Sequence, residues 1–442
     1  MNSTKGTCCD AGHSPAPSGP ARAVGFASVG CTHGYSRFAP SGQAEKTKGS
    51  RLLRVYAAAL LAAVLWGMVT ERVCCAQGAE TKVLGLDRVI AFTYSKDFDT
   101  KQLRSVTFIG PTKAEDWQYW RTRGVVSGVG HTWYDLLRSP IDKAVDNLVE
   151  SNYGGNPRPL IMIDEFGFDY GGFMDEKSAQ ILRLTKRRKP ELALAVWEMR
   201  GPIPKVLAEA YRDVADLVMM ESYVSDKQQY WSIATQVWAA RRFGILPKTI
   251  VVLGVGKGGI PGENWAQTKE ELEQQIRFVR LIAPDSPGVG FYSGTPELLA
   301  SADAVCTRFS NLPTDGSGLP ADLLALAATF SSWHERPTLV VSPDLVQPNY
   351  TEDGKALVEP KMMRPYLINL GDKDAQNVKV RLRNPPDKGG NVFAEGVVPL
   401  VPKRAEAVGV LPVTAEWHEW VGEWEIEVEA PGCDVLVYKL RH

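Results

Sequence analysis

Cysteine becomes scarce in this chain once its leading segment is set aside. Of seven cysteines, Cys8, Cys9, Cys31, Cys74 and Cys75 fall before residue 77, and only Cys306 and Cys433 follow. Two cysteines cannot build a disulfide scaffold, and nothing in the sequence supports a single bridge between them. There is no CxxC pair and no His/Cys cluster, so a structural zinc is excluded. No cofactor is implied, and no second histidine joins His131 in the segment around it to make a metal site. An excess of positive charge is also missing: 50 Lys and Arg stand against 51 Asp and Glu. That balance gives no ground for a nucleic-acid partner. No apolar run reaches the roughly 20 residues of a membrane helix.

The apolar run that comes nearest is residues 55–69, within RLLRVYAAALLAAVLWGMVTERVCCAQGAE. Arg51 and Arg54 precede it, and Cys74 and Ala76 sit at the −3 and −1 positions of a cleavage site. This is the layout of a secretory signal peptide. Residues 51–76 are therefore expected to be removed, giving a secreted or periplasmic protein with no stable membrane association. Residues 1–50 are rich in Ser, Gly, Pro and Ala without periodicity, a composition that predicts disorder.

From Asp87 onward, apolar runs alternate with amphipathic segments. The runs are RVIAFTY, SVTFIG, GVVSGVG, PLIMIDEF, LALAVWEM, DLVMMESY, TIVVLGVG and GVGFYSG. Continuous apolar runs with β-branched residues suit parallel strands covered on both faces. Helix ends are legible between them. Ser139-Pro140 reads as an N-cap followed by Pro at the first helical position. Asp175 reads as a cap, Thr268 and Glu271 as a capping box, and Thr295-Pro296 as a further start. The connection over residues 95–104 promises little helix. Eight strand–helix units, with no GxGxxG after the first strand, predict a (β/α)₈ barrel over residues 85–311 rather than a doubly wound sheet. Residues 312–335 read as a linker and short helix. Alternating runs over residues 336–442 predict a small antiparallel, immunoglobulin-like β-sandwich.

Barrel active sites lie at the C-terminal ends of the strands. Strand four ends with Asp164 and Glu165, strand five with Glu198 and strand six with Glu221 and Tyr223. His131 and Trp133 close strand three, Tyr94 strand one and Tyr292 strand eight. Strand alternation leaves open whether Asp164 or Glu165 faces the mouth. Twelve tryptophans leave spare aromatic surface for flat sugar rings.

In this layout the chain resembles (β/α)₈-barrel glycoside hydrolases over about residues 87–311, and the downstream sandwich resembles those that accompany secreted bacterial glycosidases. The resemblance implies a carbohydrate substrate and two carboxylates flanking the scissile bond. Strand seven ends in GVGKGG without a carboxylate, unlike the superfamily with acids on strands four and seven. Families with acids on strands four and six fit better. They make Asp164 or Glu165, with Glu221, the catalytic candidates, and Glu198, His131, Trp133, Tyr223, Tyr292 and Tyr94 the substrate contacts. Two other readings stay open. One is a non-catalytic barrel that binds carbohydrate or a surface. The other is a lyase or isomerase holding a phosphate at Lys257 and the glycine-rich ends of strands seven and eight.

Overall fold

The computed structural model describes residues 82–93, 100–133, 136, 138–166, 172–198, 203–224, 230–257, 265–331, 336–341, 349–350, 356–357, 362–363, 365–384, 389–412, 423–433 and 436–441. The expected signal segment and the residues before it lie outside this set. No helix among the described residues is long and apolar enough to cross a membrane.

The eight apolar runs form one closed parallel barrel. Its strands are β1 (Val89–Thr93), β2 (Phe108–Thr112), β3 (Val126–Thr132), β4 (Leu160–Phe166), β5 (Ala193–Glu198), β6 (Leu217–Ser222), β7 (Thr249–Gly254) and β8 (Gly288–Tyr292). Around it run α1 (Trp117–Thr122), α2 (Ile141–Val149), α3 (Gly172–Arg188), α4 (Lys205–Val214), α5 (Tyr230–Arg242), α6 (Lys269–Ile282) and α7 (Pro296–Cys306). The first crossover contains only a 3₁₀ turn, Thr100–Gln102, among its described residues.

Local capping chemistry explains two helix starts, and two other expected starts are corrected. Thr268 and Glu271 bond each other's backbone N–H at the head of α6, a complete capping box. Thr295 caps α7 with Pro296 behind it. The cap of α2 is Pro140, one residue later than expected, and it makes no side-chain bond. Asp175 does not cap α3. That helix begins at Gly172, and Asp175 is buried in its first turn. An acid there still favours the positive end of the helix, as Lys186, Arg187 and Arg188 favour the negative end.

Two apolar layers separate cleanly by strand period. Val89, Ala91, Phe108, Leu160, Met162, Ala195, Trp197, Leu217, Met219, Ile250 and Val252 pack together inside the barrel. Their odd-register neighbours, such as Ile161, Ile163, Leu194, Val196, Val218 and Met220, pack outward under the helices.

Leu312 and Leu319 are buried, so the expected linker is packed rather than loose. It leads into α8 (Ala321–Ser331). The strands that follow are β9 (Leu339–Val341), β10 (Asn349–Tyr350), β11 (Ala356–Leu357), β12 (Met362–Met363), β13 (Tyr366–Asn369), β14 (Ala375–Arg383), β15 (Val392–Val401), β16 (Glu406–Val408), β17 (Leu411–Pro412), β18 (Glu423–Glu429) and β19 (Leu436–Arg441). They build an antiparallel four-stranded sheet, β15-β14-β18-β19, and a three-stranded one, β16-β13-β9. β15 contains Gly396 and Pro399. It is an edge strand, the place in a sheet where Pro is tolerated. The buried residues of these sheets and the outer layer of the barrel form one continuous apolar cluster. Cys306 and Cys433 are not joined by a disulfide, and the Cys433 thiol donates to the Pro337 carbonyl.

Candidate active site at the barrel mouth

Strand period decides which rim residues face inward. On β6, Leu217 and Met219 point into the barrel, so Glu221 and Tyr223 continue that row at its mouth. Ser222, between them, points outward and bonds Gln236 of α5. On β4, Leu160 and Met162 point inward, and Asp164 is next in that row. The strand then departs from regular pairing. Ile163 pairs with Val196 and Phe166 with Glu198, so Asp164 and Glu165 together oppose the single residue Trp197. This is a β-bulge, a device that re-aims side chains beside active sites. It breaks strict alternation, so the premise that only one of the two carboxylates can face the mouth no longer follows. The side chain of Glu165 lies outside the described residues, as does Tyr94.

Aromatic rings close the same end. Tyr223 stacks on Tyr292 with centroids 5.1 Å apart and 9° between planes. Trp265, from the segment after β7, lies 4.6 Å from Tyr223 and 5.6 Å from Tyr292. Trp197, at the end of β5, meets Tyr292 edge-on at 5.8 Å. Trp197 and Trp265 are each 3% exposed, whereas Tyr223, Tyr292, Asp164 and Glu221 keep part of their surface accessible. The indole Nε1 of Trp265 is buried and has no hydrogen-bond partner among the described residues. Sequence reading missed Trp265, because it lies beyond its strand and only the fold returns it to the mouth. Its ring covers Gly254, where a Cβ would come within 2.5 Å of it.

Tyr223 ties the carboxylates to the rings. Burial pushes its phenol well above the usual range, and the charge of Glu221, then Tyr292 and Asp164, push the same way. Its hydroxyl is hydrogen-bonded to the Glu221 side chain. A phenol so placed stays protonated and donates to the carboxylate. Two acids from different strands therefore act on one hydroxyl at the barrel mouth.

Three expected contacts are placed elsewhere. Trp133 is fully buried in the outer layer, 4.6 Å from Phe166. Glu198 is also fully buried and accepts a hydrogen bond from Tyr211 of α4. His131 alternates with inward-facing Gly130 and pairs through Nε2 with Ser151 beyond α2. All three sit on odd-register, outward positions, which residue type alone does not reveal. At the glycine-rich end of β7, Lys257 is exposed and its carbonyl accepts from Ser293. Among the described residues no cluster of three His, Cys, Asp or Glu side chains is arranged to hold a metal ion.

No family model matches the sequence, and no curated protein matches it either. Solved structures with a similar fold include a modular endo-β-1,4-mannanase from Cellulomonas fimi, at 10% identity, covering 80% of this chain and 93% of that one, TM-score 0.35. An endo-β-N-acetylglucosaminidase from Cordyceps militaris covers 68% of this chain and 98% of its own, at 9% identity and TM-score 0.33. A spore cortex-lytic enzyme from Bacillus megaterium covers 49% and 73%, at 10% identity and TM-score 0.36. At scores this low, the barrel rests on its own strand order and register.

Proposed function

We propose that this protein is a glycoside hydrolase, exported as the sequence suggests, that cleaves a poly- or oligosaccharide between carboxylates on β4 and β6. The observation that carries the reading is that Glu221 continues the inward row of β6 at the mouth of a closed barrel and is hydrogen-bonded there to Tyr223, while Asp164 continues the inward row of β4. Hydrolysis of a glycosidic bond needs one acid to protonate the leaving oxygen and one carboxylate to act as nucleophile or base. Glu221, accepting from the Tyr223 hydroxyl, takes the second role. Asp164 or Glu165 then serves as the proton donor. The Tyr223–Tyr292 stack offers an apolar wall for a sugar face.

The test is a hydrolysis screen over a glycan panel with residues 77–442, followed by Asp164→Asn, Glu165→Gln and Glu221→Gln. Each amide keeps shape and removes the charge or the transferable proton. Glu221→Gln and one of the two β4 amides should lose about 10²–10⁴-fold in turnover without a change in melting temperature. Three amides at wild-type rates would refute the pairing. A second reading, a barrel that binds carbohydrate without cleaving it, draws on the packing of the four rings against one another. Glycan binding with no turnover would favour it.

A further inference from the structure

We infer that Glu406 of the sandwich is a positioning residue for the barrel mouth, capping helix α4 from 201 residues away in the chain. α4 starts without a cap of its own. Its N-cap residue is Pro204, which makes no side-chain bond to the exposed amides. The first helical amides need an acceptor all the same. The Lys205 N–H donates to Oε2 of Glu406 at 2.9 Å, and the Val206 backbone bonds the same carboxyl. The Tyr366 side chain of β13 also hydrogen-bonds it. Burial pushes the Glu406 carboxyl up, and nearby Asp175 of α3 adds to this, while those three bonds pull it down. A half-buried side chain with this many partners is built into both domains.

The other contacts of α4 give the cap its consequence. Its last carbonyls are held by Lys248, which donates to Arg212 O at 2.9 Å and to Ala215 O at 2.8 Å. In mid-helix, Tyr211 donates to Glu198 at the end of β5. The residue before Glu198 is Trp197, one of the four rings at the mouth. The helix is thus seated by the sandwich at its start and bonded to the mouth-forming strand through its middle. The sandwich becomes part of the apparatus that fixes the β5 corner. The catalytic weight of that corner rests on the glycosidic reading; the contact itself does not.

Hydrogen exchange by mass spectrometry on the full chain tests the inference without any substrate. In Glu406→Ala, amides of the first turn of α4 and of the end of β5 should exchange about five- to tenfold faster, the loss expected for a missing cap. β1, β2 and β14 should keep wild-type protection. Glu406→Gln, which retains an acceptor oxygen, should stay within about twofold of wild type. Unchanged protection at α4 in Glu406→Ala would overturn the inference. So would a uniform rise over the whole chain, or equal loss in the Gln variant. Should Glu406→Ala be insoluble, Tyr366→Phe removes one bond to the carboxyl. Its expected signature is the same local rise at α4, and wild-type exchange there would refute the role. In Glu221→Gln, loss of glycan turnover with normal exchange at α4 would bear on the catalytic pair, not on this contact.

Discussion

Gly254→Ala probes the mouth without touching a carboxylate. A Cβ at this position would lie 2.5, 2.7 and 2.8 Å from Cδ2, Cγ and Cε3 of Trp265. Carbon atoms rest at about 3.5–4.0 Å, so the indole must retreat by about 1 Å. It has nowhere to go freely: it is 3% exposed and packed on Tyr223 and Tyr292. Overpacking of a rigid ring costs about 1–3 kcal/mol. For a protein of this size that lowers the melting point by roughly 1–4 °C. Displacing Tyr223 also disturbs its bond to Glu221, and a shift of about 1 Å at a reacting group costs about 10²-fold in rate. Gly110→Ala is the matched control inside the same barrel. Its Cβ would meet the Met162 sulfur at 2.8 Å, the far part of a flexible side chain that can turn aside. The assay is differential scanning fluorimetry beside turnover on the glycan identified by screening. The reasoning fails if Gly254→Ala melts and turns over like wild type, or if Gly110→Ala is the more damaged of the two.

Four further outcomes are expected. Trp265→Phe replaces a buried indole by a smaller ring, so it should lower the melting point through the void left behind and, by loosening the rings at the mouth, weaken glycan binding, as melting and isothermal titration would show. Asp372 is held below the ordinary carboxylate range, first by its bond to Arg404 and then by Arg242 of α5. A depressed folded value gives stability that is present above the unfolded pKa of about 3.9 and is lost as pH falls through the folded one. Asp372→Asn should therefore flatten the acid limb of stability against pH between about pH 4 and pH 2, measured by urea melts across that range. Truncation after Ser331 should leave a barrel of lower melting point, because the sandwich shares its apolar cluster; an unchanged melt would show two independent cores. N-terminal sequencing of exported protein should begin near Gln77, and a mature chain that retains residues 55–69 would refute processing at Ala76.

The sequence by itself carries the barrel because its signals are local. Eight apolar runs, the Thr268/Glu271 box and the Thr295-Pro296 start each depend on neighbours a few residues away, and each formed where those neighbours place it. It also places the candidate acids Asp164 and Glu221 at the ends of strands four and six, the end of a barrel where sites form. The face that each strand turns inward is a different kind of fact. Period two allows both phases, and only closure of the barrel selects Leu160, Met162 and Asp164 for the lumen while turning His131, Trp133 and Glu198 outward. The bulge opposite Trp197 exists only as a register between two strands. Trp265 and Glu406 reach their places through long-range packing, one folding back over Gly254 and the other meeting α4 from the second domain. No local preference encodes such contacts, because their partners are neighbours in space alone.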